Sequence, residues 1–229
     1  VQGILPIDKP KGWTSFDVVN YVRKIVANDL GVKPKNVKVG HIGTLDPLAT
    51  GLLVLLIGKE YTQKAISMSK SDKVYEVEAV LGKVSASFDT ETDQQNHSDY
   101  QPTSEEVTQA LSSYIGRIMQ VPPVYSAIKV DGKRAYRLAR SGQEVSIPPR
   151  EVEIYNIFDI KYQYPKLKFS CKVSSGTYIR TLVNDLGLKL TSGAYMSELK
   201  RLSIDQFLLS SATEVKDLNI EQIKKHLIE

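Results

Sequence analysis

Gly40-His41-Ile42-Gly43-Thr44-Leu45-Asp46-Pro47-Leu48-Ala49-Thr50-Gly51 runs directly into Leu52-Leu53-Val54-Leu55-Leu56-Ile57. The second half is an unbroken apolar run, the pattern of a buried strand and far too short to cross a bilayer. In the first half, three glycines, a proline and several polar groups crowd into twelve residues. Pro47 biases Asp46 toward an extended backbone, and the glycines allow a ligand to approach the chain closely. The segment therefore reads as a carboxylate displayed on a loop braced by a core strand. Asp-Pro is also a common turn starter, and at this level both readings stand.

Working outward, residues 4–7 form a short apolar strand, and residues 10–12 form a turn. Thr14, with Asp17 three residues on, caps a helix whose Val18, Val19, Val22, Ile25 and Val26 follow a 3.6-residue period. Residues 74–81 alternate as a half-buried strand. Thr103 and Glu106 form a capping box ahead of Val107, Leu111, Tyr114 and Ile115. Strands are expected at 152–160 and 167–173, and helices from about Thr177 and over 220–227. The order lacks a regular βαβ rhythm, so the fold class is α+β with a mixed, largely antiparallel sheet flanked by helices. Residues 90–102 are polar and read as a mobile loop. Residues 121–149 hold Pro122-Pro123 and Pro148-Pro149, with basic and aromatic residues between them, and read as a long insertion without regular structure.

Charge is unevenly spread. The net charge is +4, yet residues 116–150 alone carry +5, from Arg117, Lys129, Lys133, Arg134, Arg137, Arg140 and Arg150 against Asp131 and Glu144. Residues 85–110 hold six acids and no Lys or Arg. This asymmetry fits a polyanion-binding face beside an acidic loop, and a merely well-solvated face fits equally. Cys171, the single cysteine, excludes an intramolecular disulfide and lies on an alternating apolar strand, where a small buried hydrophobe is the better reading than a nucleophile. His41, His97 and His226 lack metal-ligand spacing, so no metal site is expected. No basic-plus-apolar leader opens the chain, which points to the cytoplasm.

The run Gly40 to Gly51 resembles the catalytic motif of the bacterial tRNA pseudouridine-55 synthases, the TruB family. Four further segments resemble that family in order: Asp8-Lys9-Pro10-Lys11-Gly12-Trp13-Thr14-Ser15, Lys73-Val74-Tyr75, Pro122-Pro123-Val124-Tyr125-Ser126-Ala127-Ile128-Lys129, and Gly176-Thr177-Tyr178-Ile179-Arg180-Thr181-Leu182 with Asp185-Leu186-Gly187. The resemblance covers nearly the whole chain. It implies one catalytic domain over 1–229, with residues 121–150 as an RNA-binding thumb and no C-terminal PUA domain.

It also implies roles. Asp46 is the essential carboxylate, Arg180 its partner, and Tyr75 the ring that stacks on the uracil. His41 holds the extruded nucleotide, while Tyr178 and Leu199 line the pocket. Lys129, Lys133, Arg134, Arg137 and Arg140 grip RNA. Asp89 matches an acidic position after the strand, but Ser85-Ala86-Ser87 stands where the family usually has Thr-Asp-Thr, which puts the polar support of that loop in question. The implied reaction turns a uridine of the tRNA T-loop into pseudouridine. No cofactor, metal, guide RNA, membrane or protein partner is implied, and the chain is expected to act as a monomer. A tRNA-binding folding chaperone without catalysis is the alternative.

Overall fold

The computed structural model describes the 229-residue chain apart from Ala127, Asp131, Glu144, Asp217 and Glu229, and apart from the side chains of Lys129, Val130, Tyr136, Ala139 and Arg140. The chain packs as two compact units, Val1–Glu76 with Leu199–Glu229, and Val77–Glu198.

The first unit opens with β1 (Gly3–Lys9) and α1 (Ser15–Asp29). Thr14 and Asp17 cap α1 reciprocally: the Thr14 hydroxyl accepts from the Asp17 amide at 3.1 Å, and the Asp17 carboxylate accepts from the Thr14 amide at 2.8 Å. β2 (Val39–Ile42) and β3 (Thr50–Ile57) follow, then two short helices, α2 (Lys59–Gln63) and α3 (Ala65–Met68). β3 runs antiparallel to both β1 and β2. Leu53, Leu55 and Ile57 face Val18, Val19, Val22 and Val26 of α1. Leu52, Val54 and Leu56 pack with Ile42, Ile204 and Phe207. A strand covered on both faces has no polar positions to alternate, and this is why it reads as an unbroken apolar run.

The chain enters the second unit along β4 (Lys73–Leu81), whose residues alternate between buried and half-buried. There β5 (Lys83–Ser85) and β6 (Gln94–Asn96) pair as a hairpin. The expected loop at 90–102 is therefore partly ordered into a strand, although its side chains are all polar and exposed. α4 (Ser104–Ser112) carries the anticipated Thr103–Glu106 capping box and buries Val107, Ala110 and Leu111. β7 (Gly116–Gln120) leads into the insertion, where β8 (Lys129–Val130) and β9 (Lys133–Arg134) form a hairpin before α5 (Ala135–Arg140). This too differs from the expected irregular segment: an Asp-Gly pair between Val130 and Lys133 is a hairpin signal in the sequence.

β10 (Arg150–Gln163) pairs antiparallel with β7 and with β11 (Lys166–Val173). Two register shifts against β11 bend β10. α6 (Ile179–Lys189) buries Ile179, Arg180, Leu182, Val183 and Leu186. Cys171 is buried, and its thiol is pushed up to about 12 by burial, which suits a packing residue.

β12 (Ala194–Ile204) returns the chain to the first unit, where it pairs parallel to β3 through Lys200↔Thr50 and Arg201↔Gly51. β13 (Phe207–Leu208), β14 (Thr213–Glu214) and α7 (Ile220–His226) complete that unit, with β14 parallel to β1. The α+β, largely antiparallel architecture agrees with the sequence reading. Among the described residues no helix is long and apolar enough to cross a membrane.

Gly187 tests the packing of the second unit. A Cβ added there would lie 2.1 Å from the Ala194 amide nitrogen, so the helix and strand backbones meet with no room for a side chain. Gly187→Ala is expected to cost about 1–3 kcal/mol through overpacking. A lower urea midpoint at unchanged m-value checks this.

Candidate active site

Asp46 lies on the loop between β2 and β3, and that loop is tied down along its length. Ser15, the first residue of α1, gives its hydroxyl to the Leu45 carbonyl at 3.1 Å and accepts from the Leu45 amide at 2.9 Å. The Gly12 amide donates to the Pro47 carbonyl at 2.8 Å. The Asp46 carbonyl accepts from the Ala49 amide at 3.1 Å, closing a turn with Pro47 in its second position. Of the two readings of Asp-Pro, the turn is the one seen here: Asp46 is its first residue. The N-terminal segment matters here because it is the brace of the loop.

Around the loop, cations are buried. Lys9 is fully buried, and its ammonium donates to the carbonyls of Pro10 at 2.9 Å and Trp13 at 2.6 Å. Burial lowers its pKa to about 8, while the negative charge of Asp46 pulls the other way. Lys73, also buried, donates to the Ser69 carbonyl at 3.1 Å and to that of Ser71. Its pKa falls to about 8 as well, through burial first and then through the charge of Arg201. His41, half-buried on β2, is held below its ordinary value by burial and by Arg201, so the neutral ring is favoured. Among the described residues its buried Nδ1 has no hydrogen-bond partner.

Arg201 is fully buried; its Nε donates to the Leu52 carbonyl and its Nη2 to the Gly43 carbonyl, both at 2.8 Å. The sequence reading assigned it no role, because a lone arginine in a strand carries no motif. Lys9 and Lys73 stood inside quoted motifs without a role; their signal was a lysine at a buried strand position. Tyr75 on β4 and Leu199 on β12 belong to this same unit and are both buried.

The second unit holds the other group of anticipated residues. Arg180 is 3% exposed, which rules out a surface arginine at a helix start. Its Nη1 lies 3.5 Å from the Asp89 carboxylate and donates to the Ser87 carbonyl at 3.2 Å, while Nη2 donates to the Tyr125 carbonyl at 2.9 Å. Asp89, 1% exposed, accepts from the Ser87 hydroxyl at 2.6 Å and from the Glu91 amide at 2.8 Å. The Ser85 hydroxyl donates to the Asp89 carbonyl at 2.6 Å. Ser85 and Ser87 therefore supply the polar support that the departure from the family pattern had put in question.

Tyr178 caps α6 and is clamped by Gln120, whose amide oxygen accepts from the Tyr178 amide at 2.7 Å and whose amide nitrogen donates to the Tyr178 carbonyl at 3.1 Å. Gln120 was not anticipated; a lone glutamine at the end of a strand offers no pattern to read. Lys133, Arg134 and Arg137 are exposed on β9 and α5. The side chains of Lys129 and Arg140 lie outside the described residues. Among the described residues no three His, Cys, Asp or Glu side chains gather as a metal site.

The two buried lysines make a pH prediction. Both have a folded pKa of about 8 against an ordinary 10.5. Between these values the unfolded chain binds more protons, so their contribution to stability rises with pH across that window and is at its least below 8. A 13Cε-lysine NMR titration is expected to find two lysines titrating near 8, one of them lost in Lys73→Met. In that variant the rise of stability between pH 8 and 10 should be shallower.

Residues 30–179 match the TruB family pseudouridylate synthase N-terminal domain, and residues 180–228 match the tRNA pseudouridylate synthase B C-terminal domain. The tRNA pseudouridine synthase B of Protochlamydia amoebophila is 42% identical over 229 residues, all of this chain and 84% of that one. The protein of the same name from Clostridium kluyveri is 40% identical over 228 residues, covering 76% of its length, and that from Chlamydia muridarum is 39% identical over 219 residues, covering 87%. Among solved structures, Cbf5 in a Cbf5–Nop10–Gar1 complex matches with a TM-score of 0.70 at 28% identity. That match covers 94% of this chain but about half (53%) of the other. With family models matching residues 30–179 and 180–228 and relatives near 40% identity over 96–100% of this chain, the chain belongs to the TruB family of pseudouridylate synthases.

Proposed function

We propose that this protein converts uridine to pseudouridine in tRNA, and that its target is uridine 55 of the T-loop. Membership of the TruB family and relatives named tRNA pseudouridine synthase B support the reaction and the substrate class. The observation that carries the reading is Asp46, held on a loop pinned at Leu45 and Pro47 by the N-terminal segment.

The reaction breaks the C1′–N1 bond, turns the uracil and joins C1′ to C5. N1 gains a proton and the C5 proton leaves to water, so the step balances without oxidant, phosphate or net hydrolysis. In this reading Asp46 acts at the ribose as the glycosidic bond breaks, and Arg180 is the arginine of the catalytic set. Tyr75 stacks on the uracil and helps to remove the C5 proton. His41 holds the flipped nucleotide, and Tyr178 and Leu199 shape the base pocket. Excluding water protects the intermediate from hydrolysis. The target base must leave its stack, at a cost of a few kcal/mol. Backbone contacts from the basic insertion offset that cost. The enzyme is proposed to work in the cytoplasm as a monomer, without guide RNA.

An unmodified tRNA transcript carrying C5-tritiated uridine tests this. One equivalent of tritium per tRNA is expected in water, and none when the T-loop uridine is replaced by cytidine. Asp46→Asn should abolish release while tRNA binding persists. Binding without release by the unaltered protein would favour the chaperone reading instead, and free uracil would indicate hydrolysis. Binding should also weaken with salt. Lys133→Ala, Arg134→Ala and Arg137→Ala are each expected to make the slope of log K against log salt shallower by about 1, uniformly across tRNA sequences.

A further inference from the structure

We infer that Arg201 is a positioning residue for catalysis: its guanidinium clasps both feet of the loop that carries Asp46 and sets the height at which that carboxylate is presented. This rests on the reading of Asp46 as the catalytic carboxylate.

The geometry is specific to a planar fork. Nε reaches the Leu52 carbonyl and Nη2 the Gly43 carbonyl, each at 2.8 Å. These two carbonyls bracket residues 44–51, so one side chain spans the whole loop. The Arg201 backbone holds the same loop from below, through the Arg201↔Gly51 pairing. Gly51, at φ +94°, passes so close that a Cβ there would sit 2.4 Å from the Arg201 carbonyl oxygen. Gly43, at φ +70°, lies against the guanidinium: a Cβ there would stand 3.1 Å from Nη1 and 3.3 Å from Lys73 Cε. The close approach of the Arg201 backbone thus requires Gly51, and a Cβ at Gly43 would press on the guanidinium.

The energetics argue against a merely structural peg. Removing a cation from water is costly, and an apolar residue of similar volume would commonly fill a buried site at no loss of stability. What an apolar residue could not do is hold two carbonyls at a set separation, nor could a lysine, whose donors radiate from one nitrogen. The charge also reaches the neighbours that face the loop, since both His41 and Lys73 are held toward their neutral forms in part by Arg201. A displacement of the carboxylate by about 1 Å is enough to cost on the order of 100-fold in rate.

Arg201→Lys, Gly43→Ala and the double variant, measured with C5-tritiated tRNA, test this. Arg201→Lys is expected to lower kcat about 100-fold while tRNA Kd stays within twofold and thermal unfolding stays cooperative. Gly43→Ala presses on the same guanidinium from the loop side and should also lower kcat at unchanged Kd; it carries the test if Arg201→Lys does not fold. Because both act through one contact, the double variant should be about as slow as the slower single variant. Wild-type kcat in Arg201→Lys, independent multiplication of the two effects, or losses of kcat and tRNA affinity in equal measure would overturn the inference. Asp46→Asn, run alongside, separates the two levels: an active Asp46→Asn sinks the catalytic reading itself, whereas an inactive one beside a fully active Arg201→Lys sinks only the role of Arg201.

Discussion

Burial of β3 on both faces is the constraint from which the rest of the first unit follows. Leu53, Leu55 and Ile57 are fully buried on the α1 side, and Leu52, Val54 and Leu56 fully buried on the other. Each such side chain contributes roughly 1.5–3 kcal/mol relative to exposure. The loop that ends at Thr50 runs directly into this buried strand. Ser15, Gly12 and Arg201 then need only a few hydrogen bonds to define the remaining shape, because one end of the loop is already placed by the core.

Electrostatics takes over where hydrophobic packing stops. In the first unit Lys9, Lys73 and Arg201 are buried and hydrogen-bonded to backbone carbonyls. That arrangement costs stability, as the lowered lysine pKa values show. In the second unit the burden is met differently, with Arg180 and Asp89 paired and each also hydrogen-bonded to its surroundings. A buried pair held this way has little freedom to rearrange, and removing either partner would strand the other charge away from water. Both units therefore carry buried charged side chains, held in the first by backbone carbonyls and in the second by an ion pair as well.

Much of the secondary structure was legible. The capping boxes at Thr14–Asp17 and Thr103–Glu106 were read from four residues each, because both halves of the motif are local. The alternation of 74–81 and the unbroken run 52–57 declared one half-buried and one fully buried strand for the same reason. The β5–β6 hairpin was missed: Gln94, Gln95 and Asn96 are exposed and polar, so no apolar face marks them, and their pairing with Lys83–Ser85 is decided by register. The insertion was read as irregular because its prolines and basic residues masked a short hairpin and a helix of six residues.

By itself the sequence determined the fold class, the family, the residues worth suspecting and those elements that carry a cap or a clear period, since caps, periodicity and motif order are properties of neighbours along the chain; β12 (Ala194–Ile204) and most of the short strands were not read from it. Tertiary structure alone decided how those residues are held. Ser15 meets Leu45 across 30 positions, Arg180 meets Ser87 across 93, and Arg201 meets Gly43 across 158. A side chain that hydrogen-bonds a backbone carbonyl leaves no mark on the identity of its partner, because every residue carries the same carbonyl. For that reason Arg201 and Gln120 were invisible in the sequence, while Asp46, whose surroundings are written in glycine and proline, was not.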